Sequence, residues 1–224
     1  MPKRVAMLPR DVDRFASDAL FPPSAELREA VTVVGDREPV FQQIETTAGP
    51  LLVRSWPAGF ASLLRIILGQ QLSSRAAQAI FQRLIQQVDL TPAGISAAPA
   101  PSLKQVGLSR AKIATCQRLA AAIMAGQVNL DQLPSLSDAE AIAHLTQIKG
   151  IGVWTAEVYL LFCLERLNSF PASDLAVQAG YQRLQNWEQR PKRPELLAAT
   201  DHLVPYRGAI AHLLWHYYRH LMRR

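Results

Sequence analysis

The sequence predicts an all-α protein, on three observations. Apolar residues recur at helical spacing nearly throughout, as in Ala77, Ile80, Phe81, Leu84, Ile85 and Val88, or Val158, Leu161, Phe162 and Leu164. No stretch sustains the period-two alternation of a strand, and residues that start or break helices cut the pattern at short intervals. Of 224 residues, 49% are apolar and 19% charged, with 11 Gly and 15 Pro. Such a chain can bury a sizeable core and is neither disordered nor collagen-like.

Taken in order, residues 1–58 read as helical, interrupted at Pro22-Pro23 and at Gly49-Pro50. The apolar run FASLLRIIL leads into the polar turn Gly69-Gln-Gln-Leu-Ser73. Ser73 then precedes SRAAQAIFQRLIQQV and Ser109 precedes RAKIATCQRLAAAIMAG, each placed to cap the helix that follows. The run from Thr91 to Pro101, Gly126 and Pro134 mark breaks. Ser137, with Glu140 three residues on, forms a capping-box pattern for the next helix. Another runs to about Leu167, one carries LAVQAGYQRL, and a last one follows the break at Pro191–Pro194, giving about ten short helices. No repeat or long linker separates independent domains, so a single helical unit is expected.

The net charge is +6, distributed unevenly: −1 over 1–58, +6 over 59–130, −4 over 131–182 and +5 over 183–224. Two basic segments flanking an acidic one suit a polyanion gripped by the basic parts while a carboxylate works between them; solvated helix faces would give the same tally. Two cysteines, Cys116 and Cys163, with no CxxC pair, exclude a disulfide scaffold, a zinc cage and an iron–sulfur cluster. The N-terminal MPKRVAMLPRDVDR lacks an apolar signal core and no stretch is long enough to span a bilayer, so the cytoplasm, or the nucleoid in a bacterium, is the expected location.

The segment Leu145-Thr-Gln-Ile-Lys-Gly-Ile-Gly-Val-Trp-Thr-Ala156 sets two glycines, Gly150 and Gly152, between two helical patterns. Glycine permits the positive φ and close backbone approach that such a short turn needs. It also leaves main-chain N–H groups uncovered at a helix start, where an anion is favoured. A tight helical corner would use the same glycines for packing alone.

Leu145-x-x-Ile148-x-Gly150-Ile151-Gly152-x-x-x-Ala156 resembles the helix-hairpin-helix DNA-binding motif. With Phe170-Pro-Ala-Ser-Asp174-Leu-Ala-Val177 it resembles the hairpin, Gly/Pro-rich loop and aspartate of the DNA glycosylase superfamily. Ile67-Leu-Gly-Gln-Gln-Leu-Ser73, Ile148-Lys-Gly-Ile-Gly-x-Trp-Thr-Ala156 and Pro205-Tyr-Arg-Gly-x-Ala…Trp215 are similar to the alkylated-base branch, DNA-3-methyladenine glycosylase II. The likeness is to its short form, without the N-terminal β-rich domain. It covers roughly residues 55–220. It implies a two-lobed fold with the active site in the cleft between lobes, one lobe of 60–171 including the hairpin 145–156 and the other of 1–59 plus 172–224.

The resemblance also assigns residues. Asp174 becomes the catalytic carboxylate, facing the positive charge that builds on deoxyribose as an N-glycosidic bond breaks. Ser173-Asp174 also directly precede LAVQAGYQRL and either is a candidate N-cap, a role that holds a carboxylate in place and coexists with catalysis. Trp154 stands where the superfamily's lyases carry a Schiff-base lysine, so monofunctional hydrolysis is expected. Trp154 and Trp215, with Tyr159, Tyr181 and Tyr206 as further candidates, suit a flat, often cationic base, although tryptophan at helical spacing is also usual in cores. Val158 replaces an aromatic that some members carry near the base. Gln71 is the nearest match to the side chain that plugs the gap left by a flipped nucleotide, with Leu72 or Gln70 next; glutamines capping neighbouring helix ends are the alternative.

Lys149, Gly150, Gly152 and Thr155 are assigned to backbone phosphate, joined by Arg75, Arg110 and Lys112 from the basic segment. His212, His216 and His220 share one helix face, which would allow an opportunistic metal, but no resident metal is expected. No cofactor is expected beyond a monovalent cation that hairpin carbonyls of this type can hold. The expected activity is excision of alkylated purines such as 3-methyladenine and 7-methylguanine from duplex DNA by a monomer. The alternatives are a non-catalytic hairpin DNA binder and a glycosylase for deaminated or oxidised bases.

Overall fold

The computed structural model describes residues 19–223; the N-terminal segment assigned above to the second lobe, up to residue 18, lies outside them. Among the described residues there are helices and one isolated antiparallel bridge, between Phe21 and Val53. The α-helices in chain order are α1 (Ala25–Arg37), α2 (Gln43–Ala48), α3 (Phe60–Gly69), α4 (Ser74–Gln87), α5 (Pro92–Ala97) and α6 (Ala100–Gln105). They continue with α7 (Arg110–Met124), α8 (Asp138–Thr146), α9 (Val153–Cys163), α10 (Leu175–Leu184), α11 (Arg193–Ala199) and α12 (Arg207–Leu221). Short 3₁₀ turns occupy Pro39–Gln42, Leu130–Ser135 and Asp201–Leu203. No helix among these residues is long and apolar enough to cross a membrane.

The serine caps that the sequence marks are formed, and Ser24 and Thr91 cap two further helices. The Ser73 and Ser109 hydroxyls accept from the Ala76 and Lys112 amides, and Ser137 and Glu140 complete a reciprocal capping box. Each satisfies amides that a helix start leaves without an internal acceptor. The expectation of helix throughout 1–58 needs correction: residues 49–59 are irregular, and Val53 there exchanges both backbone hydrogen bonds with Phe21, at 2.8 and 2.9 Å.

The chain divides into two compact units, Trp56–Tyr159 and Leu20–Ser55 together with Leu160 onward, the division falling inside α9. The first unit is built around α3, buried from Ser62 to Leu68, with α4 and α7 packed on it. A helix buried on nearly every side needs a mostly apolar surface, which FASLLRIIL supplies, and its buried Arg65 is satisfied by donating to the Gln78 Oε1 of α4 at 2.9 Å. In the second unit α12 is the central helix, buried from Gly208 to His216 against α1, α2 and α10.

Residues 160–171, expected to belong with the hairpin, are grouped with this second unit. There Phe162 lies 4.8 Å from Trp215 between ring centroids and the Gly208 amide donates to the Leu167 carbonyl at 2.6 Å. Helix α9 also stops at Cys163 rather than near Leu167: Glu165 takes a left-handed conformation, φ +53°, and the Arg166 amide turns back to the Leu160 carbonyl at 3.0 Å.

His212 of α12 is buried beside Phe162, 5.6 Å between ring centroids. Burial, reinforced by the Arg219 and Arg54 guanidiniums, pushes its imidazole down from 6.5 to about 3. The unfolded chain therefore takes up a proton near 6.5 that the folded chain accepts only near 3, so stability is full above 6.5 and falls as pH drops through that window. His216, also lowered by burial, acts in the same sense. Thermal denaturation between pH 7.5 and 4 is expected to show Tm falling with acidity, and His212→Leu to flatten that dependence.

Candidate functional site

In the first unit the hairpin joins α8 to α9 through Gln147–Gly152. Gly150 has φ +104°, and a Cβ there would lie 2.0 Å from the Thr115 Oγ1 of α7. Both conformation and space thus demand glycine. Gly152 is different: a Cβ there would meet nothing within 4 Å. Its open side lies at the start of α9, whose first amides have no acceptor within the helix. The Lys149 side chain is exposed, and its carbonyl accepts from Arg118 of α7 at 3.3 Å. The Thr155 hydroxyl, assigned to phosphate from sequence, instead turns inward: the residue is 2% exposed and its Oγ1 accepts from the Gln70 amide at 2.9 Å.

The turn after α3 presents Gln71 and Leu72 to solvent, Leu72 40% exposed and Gln71 at φ +55°, an uncommon conformation for a residue with a side chain. Gln70, the remaining candidate for insertion into DNA, turns its side-chain amide to the hairpin, donating to Thr155 Oγ1 at 2.9 Å and to the Gly150 carbonyl at 3.1 Å. Arg75 and Arg110 are exposed. Lys112, expected at phosphate, donates to the Leu68 carbonyl at 2.7 Å, and burial holds its ammonium below the usual lysine value.

The second unit carries Asp174, which is the N-cap of α10. Its Oδ1 accepts from the Ala176 and Val177 amides at 2.9 and 3.1 Å and from the Trp215 indole N–H at 3.0 Å. Capping and a fixed carboxylate are thus one arrangement. Ser173 is exposed and does not cap. Trp215, expected to wall a base pocket, is 8% exposed; its N–H is spent on Asp174 and its ring packs on Phe162. Trp215→Phe keeps that packing and removes the donor.

Tyr159 is also corrected. It is 0% exposed and its hydroxyl accepts from the Gly59 amide at 2.8 Å, which makes it a core residue and a brace for the start of α3. Tyr181 is buried, its phenol pushed up to about 12 by burial and then by the Glu38 carboxylate. Tyr206 is half-buried at the N-terminus of α12, under the Arg37 guanidinium at 5.4 Å. Trp154 is half-buried in the first turn of α9. His212 is enclosed and the His216 ring N–H donates to the Gly49 carbonyl at 3.0 Å, so the shared helix face does not gather a metal site. Among the described residues no group of three or more His, Cys, Asp or Glu could hold a metal ion.

The structure therefore brings Gln70 to Gly150 and Thr155 in one unit, and Trp215 to Asp174 in the other. Lys112, Thr115 and Arg118 escape a sequence reading in these supporting roles. Their partners are 31 to 44 positions away, at Leu68, Gly150 and Lys149, and no local pattern records them.

Residues 64–205 match the HhH-GPD superfamily base excision DNA repair proteins. The chain is 35% identical over 161 residues to DNA-3-methyladenine glycosylase 1 of Schizosaccharomyces pombe, covering 70% of this chain and 71% of that one. Among solved structures, a Schizosaccharomyces pombe 3-methyladenine DNA glycosylase in complex with abasic DNA superposes with a TM-score of 0.78 at 30% identity, over 84% of this chain and 95% of that one. A DNA-3-methyladenine glycosidase from Bacillus halodurans gives 0.70 at 25% identity, over 92% and 100%. An all-α fold, a glycine hairpin opening onto a helix start, a capping aspartate and this likeness agree: the chain belongs to the HhH-GPD superfamily of base excision DNA repair proteins.

Proposed function

We propose that this protein is a monofunctional DNA-3-methyladenine glycosylase that flips alkylated purines such as 3-methyladenine and 7-methylguanine out of duplex DNA and releases them by hydrolysis. The observation that carries the reading is the Asp174 carboxylate, held through Oδ1 by two helix amides and the Trp215 indole. As the glycosidic bond lengthens, positive charge develops on the sugar, and a fixed anion stabilises it without having to reorganise. The same carboxylate orients the attacking water and takes up its proton as the C1′–O bond forms, while the base leaves with the glycosidic electron pair. Alkylation at a purine ring nitrogen makes the base cationic and a better leaving group. A cationic base is also attracted to an indole face, which assigns Trp154 to base recognition.

Binding begins with phosphate. The first amides of α9, left uncovered by Gly152, donate to a phosphate oxygen, with exposed Lys149 beside them, and Gln71 or Leu72 fills the gap left by the flipped nucleotide. An indole cannot form a Schiff base, so the strand stays intact at the abasic site. The protein acts as a monomer, with no cofactor in the chemistry; a monovalent cation on the hairpin carbonyls would serve the phosphate grip only.

Duplexes carrying a single 3-methyladenine, 7-methylguanine, hypoxanthine or oxidised guanine test this directly. Free methylated base and a strand that breaks only after alkali are the expected products. Tight binding without base release from any duplex would leave a DNA binder instead. Breakage without alkali would overturn the monofunctional assignment.

A further inference from the structure

We propose that Gln70 is a positioning residue that locks the exposed turn of Gln71 and Leu72 to the hairpin, so that the flipping side chains and the phosphate grip move as one body. The inference rests on the reading of Gln71 and Leu72 as the side chains that enter DNA.

Gln70 follows α3 and its side-chain amide donates to two atoms 80 and 85 positions away, the Gly150 carbonyl at 3.1 Å and the Thr155 Oγ1 at 2.9 Å. Both acceptors are themselves closely packed. Gly150 is seated against Thr115 with no room for a Cβ, and Thr155 is 2% exposed. The turn is pinned on its other side as well, where the Lys112 ammonium of α7 donates to the Leu68 carbonyl at 2.7 Å, at the end of α3. The Leu72 amide closes the turn on the Gly69 carbonyl at 3.2 Å and Ser73 caps α4 immediately after it. Between these anchors only Gln71 departs from an ordinary conformation, at φ +55°, and it does so facing solvent.

A side chain forced into a base stack meets the full unstacking resistance of the duplex, a few kcal/mol. A turn held only by its own backbone would yield before the duplex did. Tying it to the hairpin transfers that load to the element that holds the phosphates, and it sets the distance between the inserted side chain and the gripped backbone. A misplacement on the order of 1 Å in such a geometry is enough to cost a large rate factor. The side chain that does this precedes the inserted ones and never touches DNA itself.

The test separates flipping from chemistry. Full-length wild type, Gln70→Ala and Thr155→Val, the last removing one acceptor while leaving Gln70 in place, are compared on two duplexes. One carries 7-methylguanine paired with cytosine, the other the same lesion opposite an abasic analogue, where extrusion breaks no pair. Single-turnover excision is measured on both, and 2-aminopurine placed beside the lesion reports unstacking. Gln70→Ala is expected to slow excision from the paired duplex about tenfold, with Thr155→Val intermediate, and to change the unpaired duplex by no more than about twofold. The fluorescence rise on the paired duplex is expected to slow in parallel. An equal loss on both duplexes, or no loss on either, would overturn the positioning role. If wild type releases no base, the proposed activity fails, and the fluorescence comparison still decides whether Gln70 governs unstacking.

Discussion

Asp174→Asn is expected to leave damaged-DNA binding nearly intact and to lower single-turnover base release by at least about a hundredfold, the scale of a lost transition-state charge contact. The substitution is informative because of how Asp174 is held. Three donors converge on one oxygen of the carboxylate, Oδ1: the Ala176 and Val177 amides and the Trp215 indole N–H. An asparagine carbonyl can accept the same three donors in the same place, and asparagine is as good an N-cap as aspartate. The cap and these three hydrogen bonds survive while the negative charge is removed. Melting temperature should therefore move little while chemistry collapses. A variant that retained excision would show that another group stabilises the sugar cation. Trp215→Phe, which keeps the charge and frees its orientation, should fall between wild type and Asp174→Asn.

The second large effect divides the two hairpin glycines. Gly150→Ala is expected to destabilise the protein by about 3 kcal/mol, combining the strain of a side chain at positive φ with overpacking against Thr115. For a chain of this size that is a fall in Tm of roughly 6–12 °C. Gly152→Ala should leave stability within about 0.5 kcal/mol, since its Cβ would enter open space. It should weaken duplex binding about tenfold, the loss of close approach by a phosphate to the first amides of α9. Melting curves and DNA titrations on the same two variants read the two effects separately. If Gly152→Ala bound duplex as tightly as wild type, the hairpin would have to be removed from the phosphate grip.

Much of the helix boundary pattern could be read because it is local chemistry. Ser73, Ser109 and the Ser137–Glu140 box act on amides within three residues of themselves, so composition and spacing suffice. The capping role of Asp174 was legible for the same reason, a short polar residue directly before an apolar-periodic run. What misled was exposure. Tyr159 and Trp215 carry the right chemistry for a base pocket, but aromatic residues at helical spacing look the same whether they face a ligand or the core, and here Tyr159 is enclosed. Thr155 and Lys112 carry hydroxyl and ammonium groups suited to phosphate, yet each is committed to a protein partner distant in sequence.

By itself the sequence determined the helical class, the caps, the glycine turn and the aspartate at the head of α10, because each depends on neighbours a few residues apart. Only the tertiary structure decided that Trp215 holds that aspartate, that Thr115 excludes any side chain at Gly150, and that the Gln70 side chain meets the hairpin. Those outcomes depend on which helices are packed together, and a hydrogen bond between residues tens of positions apart is specified by the whole fold rather than by any segment of it.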